Sequence, residues 1–240
     1  MIARKRRGDQ HTHGVTSRSS GAPFDLKADR ARALSLTPVS RETAERLDRF
    51  VAILMQWQQR INLIAPSTQP KLWTRHIADS LQLLALAPQT RTWVDLGSGA
   101  GFPGVVIACA LADMAEARIH LVESNARKAA FLREAVRVTG APAIIHAVRI
   151  EDFVENYPLG VEIVTARALA RLADLLAMAY PLLKRGAQGI FPKGQDLGAE
   201  LTEAAKCWSI QASLVASRTD PKARIIVVKS IAPTSQLARE

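Results

Sequence analysis

Hydrophobic positions change their spacing near residue 90, and this change divides the chain into two predicted regions. Between about residues 40 and 61, apolar side chains recur every three or four positions, which is typical of an amphipathic helix. A second helical pattern covers residues 70–86. From residue 92 onwards, short apolar runs alternate with longer helical patterns, as in chains built from β-α units. We therefore predict a helical cap over residues 26–90 and an α/β domain over residues 91–240.

The alternating region predicts a doubly wound, mostly parallel β-sheet with helices on both faces. Its last two apolar runs are separated only by a short polar turn. Such a pair forms a hairpin, so one strand late in the chain is expected to run antiparallel. The predicted strands are 92–96, 119–123, 143–148, 161–166, 188–192, 208–216 and 223–229, and the predicted helices of this region are 103–112, 126–138, 172–183 and 197–205.

Charge is distributed unevenly along the chain. It has 32 Lys and Arg residues against 22 Asp and Glu, a formal net charge of +10. Residues 1–32 hold eight of the basic residues and three of the acidic ones. Residues 1–25 are polar and lack apolar periodicity, which predicts a basic, disordered arm. The arm and the basic body together favour a polyanionic partner, although a charge run alone would equally suit a solubilising tail.

Other functional classes are disfavoured by composition. No apolar run reaches the roughly 18 residues that a membrane span needs, and no apolar stretch follows the N-terminal basic residues as in a secretory signal. Cys109 and Cys207 form no CxxC pair and lie among apolar residues, so we expect two buried thiols and a cytoplasmic protein. No His or Cys spacing indicates a metal site.

The segment 97–104 (GSGAGFPG) follows the first predicted strand and precedes a helix. Glycines permit positive φ angles and let a ligand approach the backbone closely, and a helix start offers free N–H groups. A P-loop is excluded because Val105 and Val106 stand where it needs Lys and Ser/Thr. The segment does contain GxGxxG, which alone is weak evidence for a dinucleotide.

The carboxylate of Asp95 discriminates between the remaining ligands. It stands two positions before the first glycine, where it would repel a pyrophosphate but attract the ammonium or sulfonium end of an amino-acid-like cofactor. S-adenosylmethionine therefore fits best. The residues predicted to contact it in this part of the chain are Asp95, Gly97, Gly99 and Gly101.

Two further strand ends are expected at the same edge of the sheet. Glu123 ends the second strand about 20 residues after the glycines, where an acid can accept hydrogen bonds from both ribose hydroxyls. The run 149–152 (RIED) follows the third strand and could hold the adenine through backbone contacts. In isolation, either feature could be an ordinary charged loop.

Several motifs in order resemble one protein family, the bacterial small-subunit rRNA guanine-N7 methyltransferases, also called the glucose-inhibited division protein B family. The resemblance covers residues 40–230, and the glycine segment alone would indicate only a class I methyltransferase. The matching motifs are Asn62-Leu63, His76-Ile77-Ala78-Asp79-Ser80-Leu81, Asp95 to Gly104, Arg127-Lys128-Ala129-Ala130-Phe131-Leu132, Ala166-Arg167-Ala168 and Lys193-Gly194.

This resemblance implies a class I S-adenosylmethionine-dependent methyltransferase, Rossmann-like, with a seven-stranded sheet that has one antiparallel strand. It implies methylation of N7 of a guanosine in the 530 loop of 16S rRNA, with free rRNA or the 30S subunit as partner. Cofactor contacts are implied at Gly97, Phe102, Ile150, Glu151 and Arg167, with Glu123 on the ribose. The chain departs from the family pattern at Ala166, Ile150 and Pro192.

Guanine N7 carries no proton, so its methylation needs no general base and depends on positioning. Arg167 is the predicted catalytic residue, because a guanidinium can donate to guanine O6 or stack on the base. Trp73 is the tryptophan predicted to be exposed for stacking. Arg149, Lys193 and His76 are candidate RNA contacts, although packing of cap against core would also explain His76.

Two rival functions remain open. The first is a methyltransferase acting on another RNA, a protein or a small molecule, which would show a closed apolar pocket and activity without rRNA. The second is a non-catalytic RNA-binding protein on the same fold, which would not bind the cofactor. A monomer is expected, since a doubly wound domain gives no reason for a dimer.

Overall fold

A computed structural model describes residues 25–156 and 160–237 and places a seven-stranded sheet at the centre of the chain. The predicted strands are all present, with the third and fourth shorter than predicted. The last strand is longer and reaches Pro233. Their bounds are β1 Thr92–Leu96, β2 Arg118–Val122, β3 Ala143–His146, β4 Ile163–Thr165, β5 Gln188–Lys193, β6 Trp208–Ala216 and β7 Arg224–Pro233.

The strand order is β3-β2-β1-β4-β5-β7-β6, and β7 runs antiparallel to the other six strands. This confirms the predicted fold class, including the late antiparallel strand. The chain leaves β1 towards β2 on one side, and β4 lies on the other side of β1. The carboxyl ends of β1 and β4 therefore form the switch point at which doubly wound sheets bind ligands.

Helices cover both faces of the sheet and bury two apolar layers. Alternate residues of β1 serve different layers, since Trp93 packs in one and Val94 in the other, and both are fully buried. The helices are α1 Leu26–Leu36, α2 Arg41–Gln58, α3 Asp79–Leu81, α4 Gly104–Ala110, α5 Ala126–Thr139, α6 Ile150–Asn156, α7 Leu172–Lys184, α8 Leu197–Ala204 and α9 Thr234–Leu237.

The cap region differs from its prediction in two ways. Helix α1 was not predicted, because its apolar residues form no stripe along one side. The continuous helix predicted over 70–86 is instead a chain of short turns: 3₁₀ turns at 66–71 and 82–86, a π turn at 73–78, and the single turn α3. Single π turns recur at functional sites.

Helix α1 and the π turn are joined by one carboxylate. Asp29 accepts hydrogen bonds from the amides of Trp73 and Thr74, at 2.8 and 3.2 Å, and from the Thr74 hydroxyl. These amides are therefore satisfied by a side chain rather than by an α-helical carbonyl. The contact anchors α1 against the π turn, although α2 separates the two elements in the sequence.

The Asp29→Ala substitution should lower the free energy of unfolding by about 2 to 3 kcal/mol, because it leaves two amides and one hydroxyl without their acceptor. Urea unfolding followed by circular dichroism measures the change. Glu45→Ala is the control, since Glu45 pairs with Arg41 on the exposed side of α2, and its midpoint should not move. Equal midpoints for the two variants would contradict this role of Asp29.

Two of the residues that the sequence analysis singled out differ in exposure from their predictions. Trp73, predicted to be exposed, is only 2% exposed and packs under the guanidinium of Arg30, so the stacking prediction is wrong. Cys109 is buried as predicted, but Cys207 is exposed. The predicted basic arm lies outside the described residues except for Asp25, which caps α1 by accepting from the amide of Ala28.

No helix among the described residues combines the length and apolar character that crossing a membrane requires. In the same part of the chain, no three His, Cys, Asp or Glu side chains are grouped so that they could hold a metal ion.

Candidate cofactor and acceptor site

The glycine segment forms a tight loop at the carboxyl end of β1. Gly97, Gly99 and Gly101 have φ angles of +67°, +54° and +83°, a region that favours glycine. A Cβ on Gly97 would lie 2.6 Å from Cδ1 of Leu169, whereas one on Gly99 would meet nothing closer than 3.7 Å. A ligand can therefore approach the backbone at Gly97 closely only because this residue has no side chain.

Glu123 at the end of β2 fixes this loop from the side. Its Oε2 accepts from the amide of Gly99 at 2.9 Å, and its Oε1 accepts from the amide of Asn125 at 2.7 Å. The side chain is largely buried but lines a cavity next to the loop. A carboxylate offers about four acceptor positions, so two remain for the hydroxyls of a ligand.

Asp95 lies beneath the loop rather than in a cavity wall. Its Oδ2 accepts from the amide of Gly104 at 3.0 Å and so ties the loop to the start of α4. Its Oδ1 is buried and has no hydrogen-bond partner among the described residues, and complete burial raises the pKa of this carboxyl to about 7. Asp95 therefore supports the loop from beneath. Its direct contact with a cofactor stays a prediction.

Arg167, directly beyond β4, lies across the switch point from the glycine loop. Its guanidinium carbon lies 5.1 Å from the ring centroid of Phe102, and its Nη2 lies 2.8 Å from Nδ1 of His76. The His76 ring in turn stacks on Phe102 with centroids 4.8 Å apart. Asp79, whose Oδ2 lies 3.9 Å from Nη1 of Arg167, provides the opposite charge. Three predicted site residues therefore form one cluster.

The tautomer of His76 follows from its partners. Nδ1 faces a guanidinium, which can only donate, so Nδ1 must be the acceptor. Nε2 then carries the proton and donates to the Thr68 hydroxyl at 2.9 Å, while that hydroxyl donates to the carbonyl of Ala65 at 2.8 Å. Burial, together with the charges of Arg167 and Arg75, lowers the pKa of His76 to about 3. His76 is neutral at physiological pH.

Three cavities meet at Ala168, the residue after Arg167. The Glu123 cavity measures about 250 Å³ and includes Gly97, Gly99 and Ile150. The His76 cavity measures about 270 Å³ and includes Phe102 and Arg167. The Arg224 cavity measures about 410 Å³ and is open to solvent. All three share Ala168, a non-glycine residue with a φ angle of +53°.

Basic side chains dominate the Arg224 cavity. Lys193 is not free there, because its Nζ contacts Oε2 of Glu200 at 2.5 Å and donates to the carbonyl of Ala170 at 3.0 Å. Glu200 also accepts from the amide of Leu172 and so anchors the start of α7. The basic residues that line the Arg224 cavity are Arg75, Arg167, Arg171, Lys193 and Arg224, and the acidic ones are Asp79 and Glu200.

The structure brings most of the predicted site residues together, but not all. Gly97, Gly99, Phe102, Glu123, Ile150, Arg167, His76 and Lys193 line one or more of the three cavities. Gly101 lines none of them, because it faces inward, where an added Cβ would lie 2.7 Å from Val105. Arg149 and Glu151 are exposed at the start of α6 and line none of these three cavities.

Several lining residues were missed by sequence analysis. Lys128 borders both the Glu123 and His76 cavities, and its motif had marked it only as part of a helix. Arg75 lies one position before His76 and borders the Arg224 cavity. Arg224 comes from the last hairpin, where nothing in the local sequence indicates a site. Sequence proximity to the recognised motifs could have identified the first two.

The Glu123→Gln substitution should weaken S-adenosylmethionine binding by about 10- to 100-fold, because an amide cannot accept from both Gly99 and Asn125 and loses acceptor positions facing the cavity. Isothermal titration calorimetry measures the dissociation constant. Glu134→Gln, on the exposed side of α5, removes the same charge elsewhere and should bind normally. An unchanged dissociation constant for Glu123→Gln would refute its role in the site.

Solved structures similar to this chain share its fold. An O-methyltransferase from Bacillus cereus in complex with SAH aligns with a TM-score of 0.56 at 12% identity, covering 85% of this chain and 97% of that one. The O-methyltransferase TomG from Streptomyces achromogenes, in complex with SAM, aligns with a TM-score of 0.50 at 15% identity, covering 85% and 96%. At such identities the likeness concerns the fold alone.

Sequence relatives are much closer. Residues 43–225 match the family described as rRNA small subunit methyltransferase G. A protein named ribosomal RNA small subunit methyltransferase G from Bradyrhizobium sp. (strain BTAi1) is 61% identical over 206 residues, covering 86% of this chain and 93% of the relative. One of the same name from Rhodopseudomonas palustris (strain BisB18) is 53% identical over 222 residues, covering 92% and 95%. The chain therefore belongs to the rRNA small subunit methyltransferase G family.

Proposed function

We propose that this protein transfers the methyl group of S-adenosylmethionine to N7 of a guanosine in the 530 loop of 16S rRNA. The observation that carries the proposal is the convergence of three cavities at Ala168, beside Arg167. The Glu123 and His76 cavities suit the two ends of the cofactor, and the Arg224 cavity suits the acceptor. When bound, the cofactor supplies a methyl group on a positively charged sulfur.

The residues present fit this cofactor. Gly97 and Gly99 leave the loop backbone open towards both smaller cavities, as a bulky ligand requires. Glu123 keeps two acceptor positions for ribose hydroxyls. Asp95 is fully buried beneath the loop and lines none of the three cavities, so we assign to it the support of the loop through the amide of Gly104.

The acceptor side requires binding and orientation rather than proton transfer. Guanine N7 presents a lone pair, so no residue must remove a proton before methyl transfer. The structural arrangement agrees with this requirement, since His76 is held neutral with its Nδ1 already accepting from Arg167. We assign to His76 and Asp79 the positioning of Arg167, and to Arg167 the orientation of the base at the shared end of the cavities.

A basic, open acceptor cavity favours RNA over a small molecule. Five basic side chains and two acidic ones line the Arg224 cavity, which suits the phosphates of a polynucleotide. A small-molecule enzyme of the same fold would enclose its acceptor in a mainly apolar pocket. We therefore propose 16S rRNA, free or within the 30S subunit, as the partner of a monomeric cytoplasmic enzyme.

Methyl transfer from labelled S-adenosylmethionine to purified 16S rRNA and to intact 30S subunits tests the proposal, with the label mapped by primer extension after cleavage at N7-methylguanosine. Label in the 530 loop is the expected result. Cofactor binding without label in either substrate would refute the acceptor and favour another RNA, a protein or a small molecule. Failure to bind cofactor would favour a non-catalytic RNA-binding protein.

A further inference from the structure

A fourth cavity, separate from the three described above, lies between the cap and the turn that joins β6 to β7. It measures about 340 Å³, and we call it the Lys71 cleft. One wall is the helical segment from Ser67 to Arg75, and the other is formed by Thr219, Asp220 and Pro221. Seven of its eight lining residues are polar or charged, and three of them carry a formal charge. The lining residues are Ser67, Thr68, Lys71, Thr74, Arg75, Thr219, Asp220 and Pro221.

The Lys71 cleft is joined to the proposed acceptor site through one side chain. Arg75 lines both the cleft and the Arg224 cavity. The β6–β7 turn follows the carboxyl end of β6, which runs parallel to β5, so the cleft opens at the same edge of the sheet as the site. A polymer with one unit in the Arg224 cavity would therefore carry its neighbouring backbone past Arg75 and into the cleft.

The charges of the cleft suit a single phosphodiester. Arg75 contacts Asp220 at 3.0 Å, and both side chains remain partly exposed. Lys71 is exposed, and no carboxylate in residues 25–156 or 160–237 pairs with it. The cleft thus has one positive charge in excess, and a half-exposed ion pair such as Arg75–Asp220 is weak enough to exchange partners.

The threonine hydroxyl groups that line the cleft do not direct their protons towards a ligand in it. Thr68, Thr74 and Thr219 donate their protons inward, to Ala65, Asp29 and Asp79 respectively. Attraction of an anion therefore depends on the two cations rather than on a ring of hydroxyl donors. Asp220 opposes the binding of an anion directly, because its carboxylate pairs with the guanidinium of Arg75.

We propose that the Lys71 cleft is a phosphodiester subsite that binds the RNA backbone next to the nucleotide held in the Arg224 cavity. Lys71 and Arg75 contact the phosphate, and Asp220 releases Arg75 as the phosphate arrives. The inference rests on the proposed function, because it takes the Arg224 cavity as the acceptor site. It adds a contact that is independent of the cofactor and of the methyl transfer.

Two substitutions with opposite expected effects test the subsite. The Lys71→Gln variant should bind RNA several-fold more weakly at low salt and should reduce the slope of log K against log salt by about 0.7 to 0.9, the loss of one phosphate contact. The Asp220→Asn variant should bind several-fold more tightly, since it frees Arg75 while its amide oxygen still accepts from the amide of Lys222.

The control is Lys229→Gln, which removes one exposed lysine from β7 near the opposite edge of the sheet. Binding of the full-length protein to a fluorescently labelled 16S rRNA fragment spanning the 530 loop is measured by anisotropy at several salt concentrations. Calorimetric titration of S-adenosylmethionine should give the wild-type dissociation constant for all three variants, because none of the three residues lines the Glu123 or His76 cavity.

The outcomes separate this inference from the proposed function. Equal RNA affinities and salt slopes for Lys71→Gln and Lys229→Gln, with a wild-type protein that methylates 16S rRNA, would overturn the subsite and leave the function standing. A loss of affinity in Asp220→Asn would also overturn it. A wild-type protein that binds cofactor but no RNA would overturn the function and the subsite together.

Discussion

The Gly97→Ala variant is expected to remain folded and to lose S-adenosylmethionine binding, with a dissociation constant raised at least about 100-fold. The added methyl group would lie 2.6 Å from Cδ1 of Leu169, at a φ angle of +67° that disfavours any side chain. Leu169 borders both the Glu123 and the Arg224 cavities. Its displacement would change the walls of the proposed cofactor and acceptor sites at once.

Gly140→Ala separates backbone strain from this local effect. Gly140 ends α5 with a φ angle of +66°, almost that of Gly97, but nothing lies within 4 Å of its added Cβ. Both variants should therefore lose about 1 kcal/mol of stability from the left-handed backbone. Thermal unfolding and calorimetric titration distinguish the two effects. Similar cofactor affinities for the two variants would refute the role of Gly97.

The second prediction concerns the charge-conserving substitution Arg167→Lys, which should lower the rate of methyl transfer by about 100- to 1000-fold. A planar guanidinium stacks on Phe102, donates to His76 and faces Asp79 at the same time, whereas an ammonium cannot satisfy all three. Cofactor affinity should change by less than about tenfold. Single-turnover kinetics with 30S subunits and calorimetry measure the two quantities.

Two variants of His76 show whether Arg167 acts through its position. Asn places its oxygen near the site of Nδ1 and keeps an acceptor for Arg167, while Gln reaches towards the site of Nε2 and keeps only the contact with Thr68. His76→Asn should therefore retain most of the activity, and His76→Gln should resemble Arg167→Lys. Arg133→Lys, on an exposed position of α5, is the control. Equal activities for the two His76 variants would contradict a positioning role.

Residues that follow recognisable strands were the most predictable part of the site. The glycine loop, Glu123 and Arg167 each lie directly beyond a strand of the parallel sheet, so the fold alone brings them to one edge. Asp95 was correctly placed at that edge. Its environment was not predictable, because whether the last residues of a strand face a cavity or lie under the loop depends on the loop's own path.

The cap was the least predictable part of the fold. Helix α1 lacks an apolar stripe, and its place is set by Asp29 and by the pairing of Arg30 with Asp48, contacts between residues far apart in sequence. The first residues of the π turn donate to the same carboxylate. The π turn places His76 and Asp79 against Arg167, which is 91 residues from His76 along the chain. Local spacing carries no information about such contacts.

The sequence by itself determined the α/β fold with its late antiparallel strand, the glycine loop and the family of the chain. These features depend on short-range patterns: apolar periodicity, glycines between a strand and a helix, and motifs in a fixed order. Only the tertiary structure decided that His76 is a neutral acceptor for Arg167, that Glu200 pairs with Lys193, and that the Lys71 cleft adjoins the Arg224 cavity. The physical reason is that the charge state and accessibility of a side chain depend on its neighbours in space, which folding brings together from distant parts of the chain.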